Sequence, residues 1–203
     1  NTFLFNYIGG TADDIAKMVA ASAIAAVVTT FIMGTLSDKL DRRKIFISGG
    51  YIIWGFTVAV FAFIARENIG KFFNISDTSK VVAATVCVVI IMDCVMTFFG
   101  STSNDAAFNA WVTDVTVPEN RGTAEAVLAL LPVFATVIVT VAFGVGVEAA
   151  GYPACFMFLG ALVTICGIIG LFSVKDPRKG VKQSTNYFSD LIYGFRPSVI
   201  KNN

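Results

Sequence analysis

Long apolar runs that are almost free of charge constrain this chain more than any other feature. The run over residues 152–174 has no charged residue, and the run over residues 81–113 has only Asp93 and Asp105. A helix of about 20 apolar residues rises about 30 Å, which is the thickness of the hydrocarbon core of a bilayer. The chain is therefore predicted to fold as an all-α integral membrane protein.

The composition supports the same fold class. Of the 203 residues, 56% are hydrophobic and 14% are charged, and the mean hydropathy is +0.74. A soluble domain of this length does not need so much apolar residue. Nineteen Phe and seventeen Gly suit lipid-facing surfaces and close helix packing. The net charge of +1 provides no basic face, so nucleic acid is not an expected partner.

Catalysis and metal binding have little support in the residue types present. The chain contains no His, the commonest general base and metal ligand. All four cysteines lie inside apolar runs without C-x-x-C spacing, and we interpret them as lipid-buried thiols: Cys87, Cys94, Cys155 and Cys166. No Ser–base pair is evident either, so we expect neither an enzyme nor a cofactor.

Five membrane-spanning helices are predicted from the apolar runs and the breaks between them. They cover about residues 14–36, 44–65, 81–113, 123–147 and 152–174. Residues 1–13 are predicted as a loop because they are mixed in character and contain Gly9-Gly10. Residues 66–80 are predicted as a polar connection. Gly144, Gly146 and Glu148 are predicted to end the fourth span.

Lysine and arginine are distributed unevenly between the two ends of these predicted helices. Alternate crossing places eleven of them at one end and four at the other. The larger set comprises Lys39, Arg42, Arg43, Lys44, Arg121, Lys175, Arg178, Lys179, Lys182, Arg196 and Lys201, and the smaller comprises Lys17, Arg66, Lys71 and Lys80. Cytoplasmic loops of membrane proteins carry an excess of basic residues. The protein is therefore predicted to lie in the cell membrane, with the end that has eleven Lys and Arg residues facing the cytoplasm.

The turn between the first two predicted helices has a distinctive spacing. Asp38 comes four residues after Gly34, and Lys39 follows Asp38 directly. Arg42-Arg43-Lys44 then opens the next helix. This pattern resembles the signature loop of the major facilitator superfamily, G-x-x-x-D-[RK]-x-G-[RK]-[RK], which joins the second and third helices of that fold. Asp41 stands where the family prefers Gly. The run Pro118-Glu-Asn-Arg121-Gly122 is similar to the P-x-x-R-G loop after the family's fourth helix.

The resemblance implies an incomplete major-facilitator-type bundle. The half-unit of that family has six helices, so residues 1–174 would form helices two to six of the N-terminal half. Residues 175–203 would then form the cytoplasmic linker to a missing C-terminal half. A short amphipathic helix is predicted in that linker, with Phe188, Leu191, Ile192 and Phe195 on one face.

Asp93 is the candidate for substrate or ion binding, because an ionisable residue inside a span is costly and commonly functional. At 3.6 residues per turn, Asp93 shares a helix face with Thr97, Gly100, Asn104 and Trp111. This polar, small and aromatic stripe suits a water-filled cavity for a small solute and a coupling ion, either a proton or sodium. A structural carboxylate that pairs with a neighbouring helix remains the alternative.

Two further groups of residues are expected to act near the cytoplasmic end. Ser101, Asp105 and Asn109 form a second stripe that turns away from the first, and Asp105 and Asn109 are expected to brace the gate. The resemblance implies that Asp38 accepts hydrogen bonds from basic residues across the cytoplasmic gate, with Arg42 and Arg121 as its expected partners. Ser22, Ala26, Thr30 and Gly34 recur every four residues, which indicates a close helix contact.

The motifs of drug/proton antiporters in this family are missing from the chain. Drug and proton antiporters carry Arg-x-x-x-Gly in the fourth helix, where this chain has Asp93-Cys94, and G-P-x-x-G-G in the fifth, where it reads Leu130-Leu-Pro132-Val-Phe-Ala. A cation-coupled symporter of a sugar or similar polar solute therefore fits best. The alternatives are a uniporter, a drug/proton antiporter, or a polytopic protein that does not transport, such as a receptor, scaffold or channel subunit.

Overall fold

A computed structural model describes residues 1–40 and 42–176 of the chain. These residues form helices and connecting turns without a β-strand. Asp41 and the amphipathic helix predicted around residues 187–195 lie outside the described residues.

Five helices make up most of the described part of the chain, which also has a short π-helical turn at Phe3–Ile8. They are α1, Ala12–Leu40; α2, Ile45–Phe63; α3, Arg66–Phe73; α4, Thr78–Val115; and α5, Pro118–Ser173. All except α3 are long and apolar enough to cross a membrane. The chain therefore forms a helical membrane bundle.

Helix α5 consists of two arms that meet at a break. Gly151 has φ 81° and ψ 168°, a conformation outside the helical region that Gly adopts without a Cβ clash. Residues 118–150 form the first arm and residues 152–173 the second. Gly144, Gly146 and Glu148 were predicted from the sequence to end this span, but the first arm continues past them to Gly151. A glycine in a helix lowers its stability without forcing a turn. A Cβ on Gly146 would lie 3.0 Å from Cys155 Sγ, so this glycine permits a close contact between the arms.

Parts of α2 and α4 are wound more loosely than an α-helix. Ile45–Gly49 at the start of α2 and Ser101–Phe108 within α4 are π-helical, with hydrogen bonds from residue i+5 to residue i. A π-helical turn contains more residues than an α-helical turn. Side chains before and after Ser101–Phe108 therefore do not keep the angular spacing of 3.6 residues per turn.

The prediction of a loop over residues 1–13 is wrong for its central part. Phe3–Ile8 forms a helical turn whose Phe3, Leu4 and Ile8 are buried. Gly9 ends this turn at φ 80°, and the Gly10 N–H donates to Leu4 O at 2.9 Å. The two glycines therefore cap a packed segment, because a left-handed residue can close a helix end as well as start a loop.

The polar connection over residues 66–80 also contains regular structure. Helix α3 ends at Asn74, which has a left-handed φ of 54°. Helix α4 begins earlier than the apolar run, because Asp77 caps it by accepting hydrogen bonds from Ser79 N at 2.9 Å and Lys80 N at 3.1 Å.

Contacts between connecting segments define two ends of the bundle. At the first end, Lys44 N donates to Asp176 Oδ1 at 2.8 Å. At the other, the ring of Phe3 lies 5.5 Å from that of Tyr152 and 6.3 Å from that of Phe61. We call these the loop end and the aromatic end. The predicted signature loop lies at the loop end, and α3 lies at the aromatic end.

Glycines allow the tightest packing in the bundle, between α2 and the second arm of α5. A Cβ on Gly160 would lie 2.6 Å from Gly55 O, and one on Gly167 would lie 2.7 Å from Ile52 N. Helix α1 packs on α4. Most side chains of residues 118–150, by contrast, are exposed among the described residues. The bundle is therefore dense on one side and open on the other.

Candidate functional site

Asp93 lies where α4 packs on α1. The Ser22 hydroxyl of α1 donates a hydrogen bond to Asp93 Oδ2. Ser22 Oγ also lies 3.0 Å from Met18 O, a second acceptor for the same proton. Both Ser22 and Asp93 are partly buried. The carboxylate is thus held between two long apolar helices by one hydroxyl group.

The other residues of the predicted Asp93 stripe do not form one continuous surface with it. Thr97 is partly buried one turn along α4. Gly100 is buried against Trp54 of α2, because a Cβ there would lie 3.0 Å from Trp54 Cε2. Trp111 lies at the loop end, where its Nε1 donates to Lys175 O at 2.9 Å. The stripe was predicted from α-helical spacing, and the π-helical segment alters that spacing.

Asn104 belongs to a separate polar cluster. Its Oδ1 accepts a hydrogen bond from Tyr51 Oη at 3.1 Å, and its Nδ2 donates to Asp105 Oδ1 at 3.1 Å. Asp105 was predicted to turn away from Asn104, but the two exposed side chains converge in the π-helical turn. Asn109 Nδ2 donates to Asp105 O at 3.2 Å, so its contact is local to α4. Asn104 comes eleven positions after Asp93 on α4, which corresponds to about 16 Å at an α-helical rise of about 1.5 Å per position.

Arg43 is the centre of the polar cluster at the loop end. Its guanidinium pairs with Asp38 of α1, and its Nε lies 3.1 Å from Asp114 Oδ2 near the end of α4. Its Nη1 also donates to Ser37 Oγ at 2.6 Å. The Arg43 side chain is 12% exposed, whereas those of Asp38 and Asp114 are 60% and 36% exposed. One arginine therefore joins the ends of α1 and α4 at the start of α2.

The partners of Asp38 differ from those expected. Arg43 binds Asp38 where Arg42 or Arg121 had been predicted, and Arg42 is exposed. Arg121 closes the end of α4 instead, since its Nη2 donates to Thr113 O at 3.1 Å and its Nε to Thr116 Oγ1 at 3.3 Å. Three consecutive basic residues look equivalent in a sequence, and only the direction of the chain after α1 selects one of them.

Lys39 and Gly34 are the other residues of the predicted loop. Lys39 is exposed near the end of α1. A Cβ on Gly34 would meet no heavy atom within 4 Å among the described residues. The close contact predicted for the stripe from Ser22 to Gly34 therefore occurs at its Ser22 end, where α1 meets Asp93.

Several residues of these clusters were not predicted as functional. Tyr51 was not predicted as functional, although a tyrosine hydroxyl in an apolar helix needs a hydrogen-bond partner. Asp114 and Asp176 also contact the basic run, since Asp114 Oδ2 lies 3.1 Å from Arg43 Nε and Asp176 Oδ1 lies 2.8 Å from Lys44 N. A search for acidic residues at the same predicted membrane end as the basic ones would have found both.

Comparison with known proteins identifies the family. The family model described as Major Facilitator Superfamily matches residues 1–199. The chain belongs to the major facilitator superfamily. No curated protein and no solved structure matches it.

Membership of this superfamily gives the clusters a context. Its members are transporters, so the protein is a multi-pass membrane transporter whose partners are the lipid bilayer and a small solute. The described residues contain no group of three or more His, Cys, Asp or Glu side chains that could hold a metal ion. The Asp93 pair within the membrane span and the Arg43 cluster at its end are the two candidate functional sites.

Proposed function

We propose that the protein is a secondary active transporter that moves a small polar solute, such as a sugar, by cation-coupled symport with alternating access. The observation that carries this proposal is the hydrogen bond between Ser22 and Asp93. Insertion scales assign a cost of about 3 kcal/mol to Asp at the centre of a span, so such a residue needs a compensating role. Coupling to a cation supplies that role, because the cation neutralises the carboxylate.

The Ser22 hydroxyl offers a way to accommodate both states of Asp93. A hydroxyl has one donor proton and can also accept hydrogen bonds. When Asp93 is ionised, Ser22 donates to its carboxylate. When Asp93 is protonated, its O–H can donate to Ser22 Oγ, and the Ser22 proton can turn to Met18 O at 3.0 Å. Each state then keeps its hydrogen bonds without a buried unpaired group.

Sodium is the second coupling ion that the site allows. Na⁺ is a hard cation that prefers oxygen ligands, as Ca²⁺ and Mg²⁺ do. Asp93 and Thr97 lie one turn apart on α4, and Ser22 approaches from α1. Asp93, Thr97 and Ser22 thus offer three oxygen-bearing side chains from two helices. Asn104, which had been grouped with this site, lies too far along α4 to join it.

The Arg43 cluster is proposed to bias the transporter toward one of its two conformations. Its ion pairs connect α1, α2 and α4 at the loop end, so a rearrangement of these helices must break or preserve them together. Exposed pairs contribute about 0–1 kcal/mol each, and the low exposure of Arg43 favours a larger contribution. A bias of a few kcal/mol is enough to determine which conformation predominates.

The placement of the helices is proposed to follow the N-terminal half of the superfamily. On that proposal the protein lies in the cell membrane, and its loop end and residues 175–203 face the cytoplasm. A second half of the transporter supplies further parts of the solute site. The excess of Lys and Arg at the loop end supports this orientation. Residues 175–203 would then link the two halves.

Solute uptake by the full-length protein tests the coupling directly. Uptake is measured in proteoliposomes against a panel of sugars and related polar solutes, with a proton gradient, a sodium gradient or neither. We expect accumulation above the external concentration with one of the two gradients, and its loss when an ionophore collapses that gradient. Equilibration without accumulation under every gradient would indicate a uniporter, and the absence of flux for every solute would support a protein that does not transport.

A further inference from the structure

A surface cavity lies at the aromatic end, far from both candidate sites. It has a volume of about 590 Å³ and lies between α3 and the start of α4. Arg66, Glu67, Lys71, Asn74, Ser76 and Thr78 supply its polar lining. Gly70, Ile75 and Val81 supply the apolar part of the lining, so the cavity has both polar and apolar walls.

The charge of this cavity is unbalanced. Neither Arg66 nor Lys71 forms an ion pair within the described part of the chain, and both are exposed. Glu67 provides one negative charge in the lining. The nearby Asp77 carboxylate already accepts two backbone hydrogen bonds at the start of α4. Asp77 does not line the cavity, and the lining residues carry two positive charges and one negative charge, so the lining has a net positive charge and donors for an anion.

Two exposed aromatic side chains follow directly after Lys71. Phe72 is 81% exposed and Phe73 is 51% exposed, and their rings form an edge-to-face pair at 5.1 Å. Helix α3 connects two membrane spans, α2 and α4, so it lies at the surface of the bilayer. An apolar pair beside basic residues at this depth is the composition of a helix that binds the membrane interface.

We propose that α3 and this cavity bind the headgroup of an anionic phospholipid from the leaflet at the aromatic end. Arg66 and Lys71 bind its phosphate, the polar groups of Asn74, Ser76 and Thr78 surround the headgroup, and Phe72 and Phe73 contact its acyl chains. A free anion would account for the two cations but would leave the exposed aromatic pair uncovered. The combination of the charged cavity and the aromatic pair therefore favours a lipid.

Lipid binding by the full-length protein in detergent tests this proposal. Native mass spectrometry measures the binding of phosphatidylglycerol and phosphatidylcholine to the wild type and to the double variant Arg66→Gln/Lys71→Gln. The double variant should bind phosphatidylglycerol roughly 30-fold less tightly, because it loses both cations proposed to bind the phosphate. The variant Arg66→Lys/Lys71→Arg, which keeps both charges, should bind it nearly as the wild type does.

Lys80→Gln provides the matched control, because Lys80 lies at the same end of the bundle but does not line the cavity. It should leave phosphatidylglycerol binding nearly unchanged. An equal loss in the control, or equal affinity of the wild type for the two lipids, would overturn the proposal. Displacement of the lipid by millimolar inorganic phosphate would show a site for a soluble anion instead. Phe72→Ser should weaken lipid binding, and it should not change the effect of inorganic phosphate on that binding.

Discussion

At the scale of single residues, the two candidate sites differ in how their charges are compensated. Asp93 is partly buried between α1 and α4 and has the Ser22 hydroxyl beside it. Asp38 and Asp114 share Arg43 at the end of the bundle. A carboxylate beside a neutral hydroxyl can gain or lose a cation at modest cost, whereas an ion pair resists neutralisation. This difference supports the proposed roles of Asp93 in coupling and of the Arg43 cluster in conformational control.

We expect Asp93→Asn in the full-length protein to abolish gradient-driven accumulation of solute. Asparagine has a similar volume but no ionisable group, so it removes the switchable charge. Exchange of solute down its own gradient should partly survive. Both quantities are measured as radiolabelled uptake and counterflow in proteoliposomes.

Asp105→Asn is the control for Asp93, because it neutralises another carboxylate of the same helix, one that contacts Asn104 and not Ser22. The steady-state ratio of internal to external solute should be unchanged in this variant, whatever its effect on rate. Unchanged accumulation in Asp93→Asn would assign that residue a structural role and move the coupling site elsewhere in the transporter.

The variant Asp38→Asn should lower the transport rate about tenfold while membrane insertion stays normal. This loss corresponds to a shift of about 1.4 kcal/mol in the balance between two conformations. Because Arg43 binds Asp38, the double variant Asp38→Asn/Arg43→Gln should be little slower than Arg43→Gln alone. Initial rates of uptake, normalised to the amount of protein in the membrane, provide the measurement.

Arg42→Gln serves as the comparison for this cluster. The exposed Arg42 side chain neighbours Arg43 in the sequence, and we expect its variant to retain most of the rate. Wild-type uptake by Asp38→Asn would reduce the signature loop to a solvated turn. A loss in Arg42→Gln as large as that in Asp38→Asn would indicate that the two residues interact in another conformation.

At the scale of helices, close backbone contacts hold α2 against the second arm of α5. The hydrophobic effect does not drive helices together within lipid, so they associate through van der Waals packing at small residues. Gly55 and Gly160 face each other at one crossing, and Gly167 lies against Ile52 at another. The first arm of α5 has no comparable crossing among the described residues, so the two arms differ in how firmly the bundle holds them.

We expect Gly160→Ala to destabilise the bundle, because its Cβ would lie 2.6 Å from Gly55 O and 2.8 Å from Ala59 N. Backbone atoms cannot rotate away, so the helices must separate. Overpacking of this kind costs about 1–3 kcal/mol. The measurement is the temperature at which the purified protein loses its monodisperse peak in size-exclusion chromatography.

Gly144→Ala tests the same substitution in open space on the same helix, since no heavy atom lies within 4 Å of its added Cβ among the described residues. Alanine favours a helix by up to about 1 kcal/mol over glycine, so this variant should be as stable as the wild type or slightly more stable. Equal stability of the two variants would mean that α2 and α5 do not pack as closely as the structure places them.

At the scale of the whole molecule, the described helices place an ion-paired cluster at one end and an aromatic cluster at the other. The loop end contains Arg43, Lys44 and their acidic partners. The aromatic end contains Phe3, Phe61 and Tyr152. This polarity matches a bundle that crosses the membrane with a fixed orientation, because basic residues are retained on the cytoplasmic side.

Cysteine labelling in intact cells tests the orientation, after the four native cysteines have been replaced. Ser76→Cys, at the aromatic end, should react with a membrane-impermeant maleimide. Ser184→Cys, in the proposed linker, should react only after the cells are permeabilised. The reverse pattern would overturn the orientation and the proposal that the chain is the N-terminal half.

The sequence by itself determined the membrane fold class and the family. Apolar length sets the number of possible crossings, and the spacing from Gly34 to Lys44 carries the resemblance that the family match confirms. These properties follow from local composition and spacing along the chain. Asp93 was also recognisable, because a charge inside an apolar run is conspicuous without any knowledge of its neighbours.

Only the tertiary structure decided which groups meet. The choice of Arg43 over Arg42 depends on the direction of the chain after α1, and the contact between Asn104 and Asp105 forms in the π-helical turn of α4. Burial of Phe3–Ile8 likewise depends on Phe61 and Tyr152, which are distant in sequence. Which side chains touch depends on how the helices cross and how tightly they wind. A local sequence pattern does not specify either property.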